Sequence, residues 1–238
     1  MSAKKVTVPA HPVTVEDHKE LNRAHIRKNS TAVSDALRFP DGEAFEADLT
    51  ALLASDVEAS GETVAIALID SDHFDHINKD FGPAEGDRVL IETGRYIESC
   101  LPEGAKVYRI GGDEFGVIFR GLQEREEIFL ALNEMKGNFS VSTPDGVKQT
   151  VTIGMATAFQ DASRTPELIR KADSALFRAK VSGGNRVAMA REEKMVPKTS
   201  HYTQDQLLRL TKAAKQEGVG EAILLREALD MLLKKYDI

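Results

Sequence analysis

The chain has one cysteine, no apolar run long enough to cross a membrane, and no excess of positive charge. Because Cys100 is alone, no intrachain disulfide can form, as is typical of proteins from a reducing cytoplasm. The N-terminus lacks the apolar segment of a secretory signal peptide. A formal net charge of −7 argues against a protein that coats nucleic acid, although a local DNA contact stays open. We therefore expect a cytoplasmic protein without a membrane segment.

A chain of 238 residues has room for one medium domain and small additions. Residues 1–30 are predicted to form a polar tail and a short charged helix. The alternatives for this helix are a surface helix, a weakly ordered segment, or a stalk that pairs two subunits. Residues 31–190 form the main domain, and 191–197 a charged linker with a proline. Residues 198–238 form a separate small module.

The main domain contains a hairpin signal between Tyr108 and Phe119, where two apolar runs flank a polar tip that begins with two glycines. The glycines can adopt positive φ and let a ligand approach the backbone closely. Asp113 and Glu114 follow them, so two carboxylates lie at the tip. Adjacent carboxylates repel each other and favour a nearby cation, although an ordinary acidic turn has the same composition.

A second acidic strand end favours the cation site. Val64 to Ile69 is a continuous apolar run, as expected for a buried strand, and Asp70 follows it directly. If this strand and the hairpin are neighbours, Asp70 and Asp113 meet at one edge of the sheet. Nucleotide-processing sites for hard cations are built from such carboxylates together with substrate phosphates.

Two sequence blocks carry a family resemblance. Arg109 to Phe115 reads RIGGDEF, and Asp70 to Asp87 reads DSDHFDHINKDFGPAEGD. With the later segment Ala172 to Lys180, these blocks resemble the GGDEF domain of diguanylate cyclases, in order and spacing, over roughly Asp35 to Ala190. Alternating helices and hairpin strands predict an α/β (α+β) fold, a mainly antiparallel sheet flanked by helices, and the resemblance implies the palm of nucleotidyl cyclases.

The resemblance implies an enzyme that condenses two GTP molecules into cyclic di-GMP and releases pyrophosphate, with Mg²⁺ or Mn²⁺ as cofactor. By position, Asp70, Asp113 and the Ser71 carbonyl hold the metal. Glu114 is a further ligand or helps to deprotonate the 3′-hydroxyl. Asp87 favours guanine over adenine, since a carboxylate accepts two hydrogen bonds from the guanine edge. The residues implied to bind substrate are Leu37, Asn78, Asp87, Leu90, His73, Phe74, Arg109 and Lys180.

Several positions depart from the family pattern. Asp75 stands where the family has a lysine near the phosphates, and Gly184 stands where it has an arginine, for which Arg186 is a candidate replacement. Losing cations beside a polyanionic nucleotide weakens binding, so we expect a slow enzyme or a domain that binds GTP without turnover. The R-x-x-D feedback motif is replaced by Pro102 to Ala105, which predicts no product inhibition through that site.

The small module reads as a short strand, 198–203, and two apolar helices, Gln204 to Glu217 and Glu221 to Tyr236. So few elements cannot bury their own apolar surface, which predicts a homodimer. The module resembles a ribbon-helix-helix unit, whose paired strands enter the DNA major groove. A plain dimerisation hairpin is the alternative. The candidate DNA-contacting residues are Lys198, Thr199, Ser200, His201, Tyr202 and Thr203.

Three functional hypotheses remain open from the sequence. The chain is an active diguanylate cyclase, a DNA-binding transcriptional regulator whose degenerate domain senses GTP or cyclic di-GMP, or a dimeric scaffold with a vestigial site. The intact Asp70, Asp113 and Glu114 favour the cyclase, whereas Asp75 and Gly184 favour the sensor.

Overall fold

A computed structural model describes residues 31–121, 123–191, 198–217 and 220–235. The predicted N-terminal tail and helix, and six of the seven linker residues, lie outside these ranges. The chain divides into two compact units, Met1–Arg191 and Glu192–Ile238. Within the described ranges, no helix combines the length and apolar character that a membrane span requires.

The first unit contains helices and strands that alternate along the chain. Its elements are α1 (Thr31–Leu37), α2 (Gly42–Leu53), α3 (Val57–Ser60), β1 (Thr63–Ser71), α4 (Phe74–Phe81), α5 (Pro83–Cys100), β2 (Lys106–Arg109), β3 (Glu114–Gly121), α6 (Arg125–Gly137), β4 (Val151–Thr157), α7 (Thr165–Val181) and β5 (Val187–Met189).

The five strands form one sheet in the order β2-β3-β1-β4-β5, antiparallel except for the β4–β5 pair. The predicted α+β architecture is confirmed. Alternate residues of β1 face opposite layers. Ile66 and Leu68 pack in one cluster with residues of α2 and α7, whereas Ala67 and Ile69 pack in another with residues of α1, α4, α5 and α6. The central strand is therefore buried on both faces.

Helix α7 lies unusually close to the sheet at Gly154 of β4. A Cβ on Gly154 would clash with the backbone of Ala172 and Leu176. Leu168, Ala172 and Leu176 are buried at four-residue spacing, which places them on one face of the helix. Lys180 is the next residue at that spacing, so it lies on the same face of α7 as these three residues. The close packing of α7 on Gly154 therefore also directs Lys180 toward the end of β1.

The hairpin between β2 and β3 is confirmed. Its tip does not use the positive φ that glycine permits, since neither Gly111 nor Gly112 is among the described residues with positive φ. Two local predictions from the sequence were wrong. The glycine and proline content of residues 81–86 predicts a loop that ends at an Asp87 cap, whereas only Gly82, at φ 86°, separates the two helices, because α5 begins at Pro83, whose ring suits a first helical position. A strand was also predicted over 138–143, and the structure has only one bridge there, between Ser142 and Lys148.

The second unit contains α8 (Gln204–Glu217) and α9 (Glu221–Lys235). Thr203 caps α8 reciprocally, since Gln206 N–H donates to Thr203 Oγ1 at 3.2 Å and Thr203 N–H donates to Gln206 Oε1 at 2.9 Å. Thr211 Oγ1 donates to Glu221 Oε1 at 2.6 Å, which joins the helices. The predicted strand over 198–203 is absent from the described structure, because a single short strand has no neighbour to pair with in one chain.

The sequence predicts that Leu207, Leu208, Leu210 and either Ala213 or Ala214 of α8 face inward, and this is wrong for the first two. Leu208 is 72% exposed and Leu207 43% exposed, while Ala214 is buried. On α9, Leu229 and Leu232 are also exposed. The six residues predicted to contact DNA, 198–203, are all exposed.

Candidate active site

Asp70 lies at the centre of the sheet edge where the predicted acidic residues meet. It continues the β1 row of Ile66 and Leu68, and pairs with Glu114 of β3 on one side and Thr152 of β4 on the other. Directly paired residues lie on the same face of an antiparallel sheet. The Asp70 and Glu114 side chains therefore emerge on the face covered by α7.

The carboxylate of Asp70 is buried and forms an ion pair with α7. Lys180 Nζ lies 2.5 Å from Asp70 Oδ2, although the lysine side chain is 40% exposed. Burial raises the pKa of Asp70 to about 7, and the charges of Asp113 and Glu114 add to the increase, whereas Lys180 opposes it. A carboxyl group that titrates near neutral pH in this way is typical of a functional site.

The hairpin tip brings the other two carboxylates to the same edge. The carbonyl of Glu114 accepts the N–H groups of Ile110 and Gly111 at 3.1 and 3.2 Å, which closes the tip. The carbonyl of Asp113 accepts the N–H of Ser71 at 3.4 Å, which joins the tip to the end of β1. The predicted meeting of Asp70 and Asp113 at one sheet edge is present.

The donors at this edge suit a hard divalent cation. They are carboxylate oxygens and the backbone of Ser71, the ligands that Mg²⁺ prefers. Lys180 places one positive charge against Asp70, and the carboxylate of Asp113 interacts with the guanidinium of Arg109. In the described part of the chain, no three His, Cys, Asp or Glu side chains form a ready-made metal site. A cation here would therefore need further oxygen ligands, such as those of a bound phosphate.

The phosphate end of the predicted site is the N-terminus of α4. His73 precedes the helix in the left-handed region, at φ 56° and ψ 28°, and Phe74 is the first helical residue. The first N–H groups of a helix have no partner within it and attract anions. Asp75 is exposed in that first turn and opposes an anion there, while Lys79 lies in the last turn.

The residues predicted to surround the base lie along α1, α4 and α5. Asn78 packs against Gly86 so closely that a Cβ on Gly86 would clash with Asn78 Oδ1. Asp87 follows Gly86 on α5, where it is half-buried. Leu37 and Leu90 are both buried in the same apolar cluster. The close contact fixes Asn78 of α4 against α5 at Gly86, one residue before Asp87 in the sequence.

Arg109 connects the base end with the hairpin tip. The residue is 4% exposed, and its Nη2 donates to the Gly112 carbonyl at 2.8 Å. Burial lowers the pKa of Arg109, whereas the carboxylates of Asp87 and Asp113 oppose that change. Arg109 and Leu37 also line one small pocket. The position of Arg109 suits a residue that holds Asp87 and Asp113 in place.

Gly184, which stands where the family resemblance implies an arginine, lies in the turn after α7. Gly184 has φ 67°, and a Cβ there would lie 3.0 Å from Asp72 Oδ1, so a side chain at this position is strained. Arg186 is exposed, and its Nε donates to the Gly184 carbonyl at 3.2 Å. The candidate replacement thus contacts its own turn.

Sequence reasoning missed the residues that organise this end of the site. Asp72 was recognised only as part of an acidic run, and nothing marked the residues that contact it. Threonine and glutamine near a strand look like ordinary sheet residues, and only the antiparallel register places them beside Asp72. The missed residues are Asp72, Gln149, Thr150, Thr152 and Asn185.

The sequence of the first unit matches a known family. The family model described as "Diguanylate cyclase, GGDEF domain" matches residues 35–186. The chain belongs to the GGDEF-domain family. It is 36% identical over 132 residues to "Diguanylate cyclase DgcM" of Escherichia coli, a match that covers 56% of this chain and 32% of that relative. It is 33% identical over 141 residues to "Diguanylate cyclase A" of Treponema denticola, covering 57% and 38%.

Solved structures agree with this assignment. The GGDEF domain of PA1120 from Pseudomonas aeruginosa has a TM-score of 0.62 at 29% identity, covering 68% of this chain and 94% of that one. The GGDEF domain of DgcB from Caulobacter crescentus, solved in complex with c-di-GMP, has a TM-score of 0.57 at 27% identity, covering 63% and 90%. The likeness extends over nearly the whole of those domains, whereas the chain spans only 32% and 38% of the two curated relatives.

Proposed function

We propose that this GGDEF protein is a diguanylate cyclase that condenses two GTP molecules into cyclic di-GMP. The proposal is carried by one observation: the acids Asp70, Asp113 and Glu114 lie together at two adjoining strand ends, beside the ammonium of Lys180. Three carboxylates and one lysine suit a metal–triphosphate complex, because the metal and the lysine together offset both the acids and the phosphates.

The residues of the chain divide the work as follows. Asn78 and Asp87 bind the guanine edge, with Leu37 and Leu90 as the apolar lining. The backbone N–H groups of His73 and Phe74, and the side chain of Lys180, hold the phosphates. A divalent cation bound by Asp70, Asp113, Glu114 and the Ser71 carbonyl would neutralise charge on the phosphate under attack.

The reaction forms a bond from the 3′-hydroxyl oxygen of one GTP to the α-phosphorus of the other, breaks the bond to pyrophosphate, and occurs twice. In this proposal Glu114 helps to deprotonate the 3′-hydroxyl, or serves as a further metal ligand. One unit holds one GTP, so two copies must face each other for both attacks. Holding the reactants in line supplies much of the rate enhancement.

The test is to incubate the full chain with GTP and Mg²⁺, or Mn²⁺, and to separate the products by chromatography. Cyclic di-GMP and pyrophosphate should form, and Asp113→Ala should abolish both. A folded wild-type protein that binds GTP but yields no cyclic product would support the sensor hypothesis. Adding cyclic di-GMP should leave the rate unchanged, because 102–105 lacks the R-x-x-D motif.

For the second unit we propose pairing with a second copy, in the manner of a ribbon-helix-helix module. The supporting observations are the exposed leucines of α8 and α9, and the exposed, non-helical segment 198–203, whose last residue, Thr203, caps α8. Pairing of two such segments would form a two-stranded ribbon. Light scattering of the wild type and of a chain ending at residue 197 tests the pairing.

DNA binding is a separate hypothesis for this ribbon. Lys198, Ser200 and Tyr202 would share one face, and Thr199, His201 and Thr203 the other. Selection from a library of random DNA duplexes should enrich one sequence if the ribbon reads bases. Equal retention of all duplexes, or none, would leave pairing as the function of this unit.

A further inference from the structure

Asp72 lies between two backbone turns that are conformationally disfavoured. His73 follows it directly with φ 56°, and Asn185, with φ 47°, donates its backbone N–H to Asp72 Oδ2 at 3.0 Å. These are two of the four non-glycine residues with positive φ in the described ranges. A side chain crowds the backbone in this region, so such turns persist only where their surroundings hold them.

The surroundings of Asp72 come from the segment that leads into β4. Thr150 Oγ1 donates to Asp72 Oδ2 at 2.7 Å, and Thr152 Oγ1 donates to Asp72 Oδ1 at 2.5 Å. The backbone of Asp72 is held as well, because its N–H donates to the Thr150 carbonyl at 3.0 Å and its carbonyl accepts Gln149 Nε2. Asp72 is buried, and its hydrogen bonds with Thr152 Oγ1 and Gln149 Nε2 are shielded from water.

The two turns carry the parts of the site that face the nucleotide phosphates. His73 begins the anion-attracting N-terminus of α4. Asn185 belongs to the turn that follows α7, the helix that bears Lys180, and its N–H also donates to Thr152 Oγ1 at 2.9 Å. One carboxylate and one threonine therefore connect both turns to β4.

We propose that Asp72 is a positioning residue: held by Gln149, Thr150 and Thr152, it fixes the spacing of the two turns between which the nucleotide phosphates bind. The proposal rests on the proposed function for the identity of the ligand only. The hydrogen-bond network itself can be tested without nucleotide.

Thr152→Val is the main variant, because it removes one donor to Asp72 and keeps the side-chain shape. Thr152→Ser retains the hydroxyl and is the rescue variant. Thr157→Val is the matched control, since Thr157 is buried on the same strand and its hydroxyl has no hydrogen-bond partner among the described residues. Thr150→Val, which removes a donor to the other oxygen, replaces Thr152→Val if the latter does not fold.

Two measurements on the full chain decide the outcome. The first is amide hydrogen exchange at Asn185 and at His76, whose N–H donates to the His73 carbonyl at 3.0 Å. Thr152→Val should speed exchange about tenfold at both amides, because both turns lose their support. The second is GTP binding with Mg²⁺, which should weaken about fivefold, since a charge-assisted bond that orders the site is lost. Thr152→Ser should restore both quantities, and Thr157→Val should change neither.

The results separate this inference from the proposed function. If exchange follows the predicted pattern while even the wild type fails to bind GTP, the positioning role stands and the cyclase assignment falls. If folded Thr152→Val binds GTP as the wild type does, or exchanges faster at only one of the two amides, the positioning role is wrong. A lower melting temperature with unchanged GTP affinity would likewise reduce Asp72 to a purely structural residue.

Discussion

The two units treat their apolar side chains in opposite ways. The first unit packs them in two clusters on either side of β1, and its exposed large apolar residues, such as Leu130 and Val181, come from separate helices. The second unit exposes several leucines on only two helices. Scattered exposed leucines are ordinary, whereas a concentration of them marks a surface that meets a partner. The first unit is thus complete as a folding unit, and the second is not.

The comparison separates chemistry from association. Every residue that the cyclase proposal uses lies in the first unit, and the surface that favours pairing lies in the second. A substitution in the first unit should therefore leave association intact, whereas loss of the second unit should lower cyclase activity only because the two copies no longer meet. Four experiments can break or sharpen that division.

The largest effect is expected from ending the chain at residue 197. The first unit should keep its melting temperature, because its core is its own. Cyclase activity should fall about a hundredfold or more at low protein concentration, since tethered partners no longer meet at high effective concentration. Activity measured over a dilution series checks this. A truncated protein that stays fully active on dilution would show that the first unit pairs unaided.

Asp70→Asn tests the buried carboxyl group of the first unit through its effect on stability. Burial raises the pKa of Asp70 to about 7, from an ordinary value of 3.8. A group whose pKa is raised on folding stabilises the protein below its unfolded pKa, and that stabilisation is lost as pH rises through about 7. Asp70→Asn has no ionisable group at this position, so it loses no stabilisation from this source as the pH rises. Its free energy of unfolding relative to wild type should therefore increase between about pH 4 and pH 8, by at most about 4 kcal/mol.

Urea denaturation of both proteins at the two pH values measures this difference. Asp56→Asn, at the exposed start of α3, is the control for the substitution itself and is measured in the same way. A pH-independent difference between Asp70→Asn and wild type would mean that the carboxyl group of Asp70 ionises normally.

The same substitution can be placed in each unit. Leu208→Asp and Leu130→Asp both charge an exposed helical leucine, at 72% and 65% exposure. Only Leu208→Asp should weaken self-association, by about tenfold or more, because a desolvated charge in an apolar interface costs several kcal/mol. Sedimentation over a range of concentrations reports the dimer dissociation constant. Equal behaviour of the two variants would remove the reason for assigning association to the second unit.

The smallest effect is expected at Asp75, which is exposed in the first turn of α4. Asp75→Lys replaces a repelling charge with an attracting one, so GTP should bind about fivefold more tightly. The lysine opposes the helix dipole, so stability should fall by about 0.3–1 kcal/mol. Glu58→Lys makes the same exchange in the first turn of α3 and should lower stability alone. Calorimetric titration with GTP distinguishes the two variants. If Asp75→Lys and wild type bind GTP with equal affinity, the assignment of α4 to the phosphates is contradicted.

Asp70 was predictable because it directly follows an apolar run, whose length fixes where the chain leaves the sheet. Asp113 and Glu114 were predictable because two glycines between two apolar runs indicate a hairpin tip. The antiparallel register then brings the three acids to one edge of the sheet. The prediction of a strand over 198–203 was wrong because a strand needs a neighbour to pair with, and one chain does not supply that neighbour.

Other features could not be predicted because they depend on contacts remote in sequence. Asp72 and Thr152 are 80 positions apart and meet only through the pairing of β1 with β4. Asp87 looked like a helix cap, whereas Pro83 and Gly82 set the start of α5 four residues earlier. Gly154 gave no local signal, because its importance comes from the backbone of α7.

The register of β1 has a consequence for how this protein can diverge. Asp70 occupies the α7 side of the sheet only because it lies an even number of residues beyond Ile66 and Leu68. Inserting or deleting a single residue in β1 would turn the carboxylate toward α4 and α5, although every side chain of the proposed site would still be encoded. Descendants of this sequence should therefore tolerate exchanges of amino-acid type along β1 far better than changes in its length.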